Sequence, residues 1–298
     1  MKNAIISNAD VLKLAARHPR IRAFVKHRLN IKKFSGLPLT LLAAAFAGAL
    51  ALFFGIAEDI IFSAPLVAVD IRVANLFFAF RDAELISFFL WITLLGKWQI
   101  IIGGLTVASI LLWLRPRRGY IIPFWFAVIG SGGFNFFAKI TFHRQRPAVA
   151  YYVENDFSFP SGHAAIAVAF YGFLIYLLAR ETKHWPRRVN FVFWGLLIIL
   201  AVGLSRLYLD VHYVSDVLAG YLSGLLFLVI GITLFEWTRT WRTQTEPIAL
   251  SRKKKFVAGV LILAQVGFYV VFALRYHPPL NVPKNIEVDI VGNAEIKK

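Results

Sequence analysis

The chain has 298 residues, 58% of them hydrophobic and only 16% charged, with a mean hydropathy of +0.65. Soluble domains carry about one quarter charged residues, so an ordinary water-soluble fold is excluded. A formal charge of +17 would suggest nucleic acid in a soluble chain, but these basic residues fall in short runs between apolar segments, as in membrane-protein loops, and no nucleic-acid partner is expected.

There is no cysteine, which removes disulfides, thiol nucleophiles and cysteine metal sites. The first 35 residues hold no apolar core of signal-peptide type, and the run from Leu37 to Phe54 is long enough to span and stay. Residues 1–36 are expected to form a basic arm on the cytoplasmic membrane face, with basic and apolar residues at helical spacing over 10–33. Seven spans follow by length and apolarity, roughly 37–57, 98–114, 120–141, 162–179, 189–204, 214–235 and 256–274. Residues 58–97 combine an amphipathic piece around Ile71–Phe80 with an apolar piece, Leu85–Leu95, too short to cross alone. They predict an interfacial helix and an extension of the second span.

The expected fold class is all-α, a polytopic membrane helix bundle of six to seven transmembrane helices. It divides into the arm 1–36, a membrane domain 37–235, and a segment 236–298 with a basic loop, an extra span and a polar tail. That tail, 277–298, opens on Pro278-Pro279 and predicts a short strand or a disordered end. Two-thirds of the 33 Lys and Arg fall in 1–36, 115–119, 180–188 and 236–255. That bias puts the N-terminus in the cytoplasm and, with seven spans, the C-terminus outside.

Polar residues are costly at membrane depth, so three clusters stand out. They are Lys139 to Pro147 (KITFHRQRP), Pro160-Ser161-Gly162-His163, and Ser205-Arg206 with His212 and Asp216. The topology above brings all three to one face, the outer one. Lys139, Arg146 and Arg206 supply fixed positive charge, and the arginine fork matches phosphate oxygens bidentately. Gly162 allows close backbone approach, and Ser161 sits where a helix starts and free N–H groups point at an anion. His212 and Asp216 are four apart, on one face if the sixth span begins there. A carboxylate so placed keeps one imidazole nitrogen protonated and leaves the other free as nucleophile, with His163 available as general acid. Singly, each has a plainer reading: Lys139 as a snorkelling residue, Arg146-Pro147 as a loop, Ser161 as an N-cap, and His212 and Asp216 as a structural pair or metal ligands.

Lys139-x6-Arg146-Pro147, Pro160-Ser161-Gly162-His163 and Ser205-Arg206-x5-His212-x3-Asp216 together resemble the three-part signature of the type 2 phosphatidic acid phosphatase superfamily, with all eleven letters present in order. The resemblance covers about residues 90–235. It implies that His212 attacks phosphorus to form a phosphohistidine, that Asp216 orients and charge-stabilises it, and that His163 protonates the leaving group and then activates water. It implies that Lys139, Arg146, Ser161, Gly162 and Arg206 hold the phosphate oxygens, with no metal and no other cofactor. His143 is left as a loop residue or substrate contact, and Glu154 and Asp156 as solvated, or else as selectors among head groups.

The leading expectation is a lipid phosphatase of the bacterial inner membrane, acting on a lipid phosphate from the outer face, with undecaprenyl diphosphate first among substrates. Phosphatidic acid or phosphatidylglycerophosphate comes second, and the bacterial undecaprenyl diphosphate phosphatases are the members resembled. The alternatives are a lipid phosphotransferase, a vanadium-dependent haloperoxidase, or a carrier that binds the head group without cleaving it.

Overall fold

Runs of about twenty apolar residues close all their backbone hydrogen bonds internally only as helices, and that sets the architecture. The computed structural model describes residues 19–31, 33–62, 65–115, 117–240, 251–281, 286–288 and 294–296. The arm before residue 19 and the linker 241–250 lie outside the described residues. The described helices are α1 (Pro19–Arg28), α2 (Leu37–Ile61), α3 (Pro65–Ala79), α4 (Ala83–Leu94), α5 (Trp98–Leu114), α6 (Ile121–Phe142), α7 (Gly162–Glu181), α8 (Trp185–Tyr208), α9 (Val214–Thr240) and α10 (Arg252–Arg275). Six helical segments are long and apolar enough to cross a membrane, and the bent pair α4–α5 makes up to seven. The all-α bundle expected from the sequence is therefore observed. Two short strands, β1 (Ile286–Val288) and β2 (Ala294–Ile296), pair antiparallel in the tail.

Helix α9 forms the centre, packed against α2, α6 and α7. Two glycines on it let α7 approach: a side chain at Gly220 would meet the Ser161 carbonyl, and one at Gly224 the Ala165 carbonyl. On the far side from the three polar clusters, α6 and α7 join through stacked Phe124 and Phe173, with ring centroids 4.7 Å apart.

Residues 58–97 depart from a simple extension of the second span. The chain bends by 44° between α4 and α5, at Leu95–Lys97. The bend brings Thr93 beside Arg206 and Gly96 beside His163. Helix α3 is amphipathic as expected, but its Asp70 is fully buried against the start of α9. Helix α10 runs from the Leu114 end, where Lys254 donates to that carbonyl, to the end carrying the polar clusters. There residues 279–281 pair with residues 151–153. Both ends of α10 are so fixed, and the helix between them is long and apolar enough to cross a membrane.

Candidate active site

The three sequence clusters converge at one end of the bundle. Lys139 lies one turn before the end of α6, and Arg146 in the loop beyond it. Ser161, Gly162 and His163 start α7, Arg206 is in the last turn of α8, and His212 and Asp216 flank the start of α9. Every residue expected at the site is in this group.

His212 lies in the turn 209–213, before α9 begins, so it and Asp216 do not share a helical face as the spacing suggested. The turn brings them together instead. Asp216 Oδ2 accepts the Tyr213 N–H at 2.9 Å and lies 3.4 Å from His212 Nδ1. On the other side of the ring, Arg146 Nη1 is 3.2 Å from Nε2. A guanidinium can only donate, so Nε2 is the accepting nitrogen and Nδ1 carries the proton. Burial, reinforced by Arg146, Arg206, Lys139 and His163, holds the His212 imidazole well below its usual pKa. It is a neutral ring with its lone pair aimed into a cationic pocket.

That cationic pocket is dense. Arg206 is completely buried in the bundle and donates to Thr93 Oγ1 at 2.8 Å and to the Tyr152 hydroxyl at 2.5 Å. Arg146 donates to the Val211 carbonyl at 2.6 Å. Lys139 is buried, not snorkelling, and donates to the Phe157 carbonyl. The Ser161 hydroxyl does not cap its helix; it is buried without a partner among the described residues. An orphaned buried hydroxyl at a helix start, beside first-turn N–H groups that have no intrahelical acceptor, is arranged for an incoming anion. Gly162 is confined by the Asn135 carboxamide, 3.1 Å from where a side chain would begin.

Glu154 is not solvated as expected, whereas Asp156 is more than half exposed and also ion-paired. Glu154 bridges Arg206 and Arg146, at 2.6 Å each, and Asp156 pairs with Lys139 at 3.0 Å and with Arg146. Burial alone would raise the Glu154 carboxyl, but the Arg206 and Arg146 guanidiniums outweigh it and hold the group well below the usual carboxylate range. Two carboxylates thus sit on the three cations that the signature assigns to phosphate oxygens. His143, the left-handed C-cap of α6, sets its ring edge-on to Phe157. Among the described residues, no three His, Asp or Glu side chains group as metal ligands.

Sequence reasoning missed Lys97, Arg144, Asp70 and Tyr152. Lys97, at the α4–α5 bend, lies with its Nζ 3.8 Å over the Tyr276 ring, near Glu154 and Arg206. A lysine following glycine in the middle of an apolar stretch was the available signal. Arg144 sits inside the first cluster at a letter the signature leaves open, and Asp70 had no local signal at all.

Residues 120–241 match the sequence model of the PAP2 superfamily. Phosphatidylglycerophosphatase B of Bacillus subtilis is 43% identical over 95 residues, which are 30% of this chain and 45% of that relative, so the match spans just under half of its length. An uncharacterised 22.5 kDa protein from the cps region of Klebsiella pneumoniae is 29% identical over 152 residues, 49% of this chain and 68% of that protein. The crystal structure of a transmembrane PAP2-type phosphatidylglycerolphosphate phosphatase from Bacillus subtilis superposes with a TM-score of 0.59 at 25% identity. The superposition covers 67% of this chain and 98% of that one.

Proposed function

Since residues 120–241 make the chain a membrane protein of the PAP2 superfamily, we propose that it hydrolyses the phosphomonoester or diphosphate head group of a membrane lipid through a phosphohistidine at His212. The observation that carries this is the His212 ring, with Nδ1 toward Asp216 and the Nε2 lone pair directed at Arg146. A binding pocket needs the cations; it does not need an oriented, neutral imidazole among them.

The proposed steps use this chain's own groups. Nε2 of His212 attacks phosphorus as the bond to the leaving oxygen breaks, and protonated His163 gives that oxygen its proton. Neutral His163 then takes a proton from water, whose oxygen attacks the phosphohistidine and breaks the N–P bond. Inorganic phosphate leaves and His212 is regenerated. Asp216 stabilises the charge that develops on the imidazole. Lys139, Arg146 and Arg206, with Ser161 and the N–H groups at Gly162, stabilise the phosphoryl oxygens in the transition state, and no metal takes part.

Undecaprenyl diphosphate is the first proposed substrate. Phosphatidylglycerophosphate is the alternative that similarity favours, because a relative 43% identical over 95 residues is named phosphatidylglycerophosphatase B; phosphatidic acid stands beside it. The proposed location is a bacterial plasma membrane with the N-terminus cytoplasmic and the site on the outer face. The concentration of two-thirds of the 33 Lys and Arg in 1–36, 115–119, 180–188 and 236–255 supports that orientation. The proposed parts are a basic arm 1–36, the phosphatase domain 37–235 and an appended segment 236–298.

A phosphate-release panel in one detergent with EDTA tests the reading, across undecaprenyl diphosphate, phosphatidic acid, phosphatidylglycerophosphate and lipid A. Release from at least one lipid is expected, and none from His212→Ala. Tight lipid binding with no release from any would make the chain a carrier.

A further inference from the structure

Asp70 lies on α3, outside residues 120–241 and outside the three sequence clusters, yet it is completely buried. A buried carboxylate persists only where its oxygens are bonded or its charge is met. Both conditions hold. Oδ1 accepts the Ser215 N–H at 3.0 Å, and Oδ2 accepts from Arg144 Nη2 at 2.7 Å and from the Ser215 hydroxyl.

The second partner of Arg144 matters more. Its Nη1 donates to Asp216 Oδ1 at 2.6 Å and to Ser215 Oγ at 2.7 Å, and its guanidinium packs 4.3 Å from the Tyr213 ring centroid. One fork therefore bridges two buried carboxylates. Asp216 is left with Oδ1 committed to Arg144, while Oδ2 takes the Tyr213 N–H and faces His212 Nδ1. Neither Asp70 nor Arg144 has a bond to the phosphate-binding cations or to His212 itself.

We propose that Asp70 and Arg144 are positioning residues for the reaction: together they fix the plane and the charge of Asp216, and through it the orientation of the His212 ring. The inference rests on His212 being the nucleophile. Arg144 alone would draw on Asp216 and weaken its attraction for charge developing on the His212 ring, 3.4 Å away. Asp70 supplies a second acceptor, so that Arg144 orients Asp216 without neutralising it. Loss of Arg144 would instead leave two like charges close together in a buried site, each disfavouring the other. Helix α3 is then part of the catalytic apparatus although it lies outside the matched domain.

A double-mutant cycle on phosphate release reads this coupling. Asp70→Asn and Arg144→Lys should each lower kcat by about 10- to 100-fold, the range typical for losing a partner that orients a functional residue. KM and the inhibition constant for inorganic phosphate should stay within about threefold of wild type, because Lys139, Arg146 and Arg206 are untouched. In the Asp216→Asn background, adding Asp70→Asn should lower kcat by less than about twofold further. Losses that multiply, or a wild-type kcat in Asp70→Asn, overturn the proposal. Should Asp70→Asn fail to fold, Arg144→Lys in the same cycle reads the same coupling, since lysine keeps the charge and loses the fork. His212→Ala run alongside separates the two claims. If it retains wild-type release, the phosphohistidine reading fails. If it is inactive while the losses at Asp70 and Asp216 multiply, only the positioning claim fails.

Discussion

Replacing Glu154 by glutamine removes the charge that now occupies two guanidiniums of the proposed phosphate pocket. Glu154 lies 2.6 Å from both Arg206 and Arg146, and their combined field keeps it ionised far below neutral pH. A substrate phosphate that takes both guanidiniums must displace this resident anion. A hydrogen bond to a charged group contributes roughly 1.5–3 kcal/mol, about twice a neutral one. Keeping the two bonds but removing the charge therefore weakens the resident by about 1.5–3 kcal/mol in total. At about 1.4 kcal/mol per factor of ten, the competitive inhibition constant of orthovanadate or inorganic phosphate should fall by roughly ten- to a hundredfold. Asp156, with its side chain 55% exposed, is screened by solvent and should contribute far less. The assay is competitive inhibition of phosphate release at pH 7 and constant ionic strength. An inhibition constant that is unchanged or raised in Glu154→Gln refutes this, and would mean that Glu154 organises the guanidiniums instead of competing for them.

Other consequences follow from the same geometry. Burial and neighbouring cations hold His212 well below its usual pKa of 6.5, so as the proposed nucleophile it stays unprotonated, and the acid limb of kcat/KM should fall at a pH well below 6.5; a limb at or above 6.5 contradicts the assigned environment. Gly220→Ala places a methyl 2.5 Å from the Ser161 carbonyl and should cost about 1–3 kcal/mol of stability in detergent thermal unfolding, while the helical Gly133→Ala, which meets nothing within 4 Å, should cost nothing and stabilise by up to about 1 kcal/mol. The Asn281 side chain donates to the carbonyls of Ala150 at 3.1 Å and Ala148 at 3.4 Å, tying the C-terminal segment to the loop that carries Glu154. Asn281→Ala removes about 1 kcal/mol of that tie and should raise KM about fivefold with kcat unchanged.

Much of this site is written in local sequence because its parts stand out from an apolar background. Lys139, Arg146, Ser161, Gly162, His163, Arg206, His212 and Asp216 are polar residues at the ends of long apolar runs, and the runs themselves set the helices. What escaped depends on tertiary neighbours. Glu154 reads as solvated because nothing in a loop sequence reveals that it folds back onto Arg206, 52 residues away. Asp70 looks like any acidic residue on an amphipathic helix, and its partner Arg144 is 74 residues distant. The bend at Leu95–Lys97 and the return of residues 279–281 to the site have the same character: periodicity shows helices and not their junctions. The pairing of His212 with Asp216 was foreseen from spacing, but it is made by a turn preceding α9 and not by a helical face.

In the proposed mechanism His212 becomes phosphorylated during turnover. Rapid alkaline quenching of the full-length protein with a lipid substrate carrying radiolabelled phosphate measures it directly. Label stable in base and labile in acid is expected, confined to the peptide containing His212 and absent from His212→Ala. Steady phosphate release with no labelled wild-type protein, together with an active His212→Ala, would contradict it.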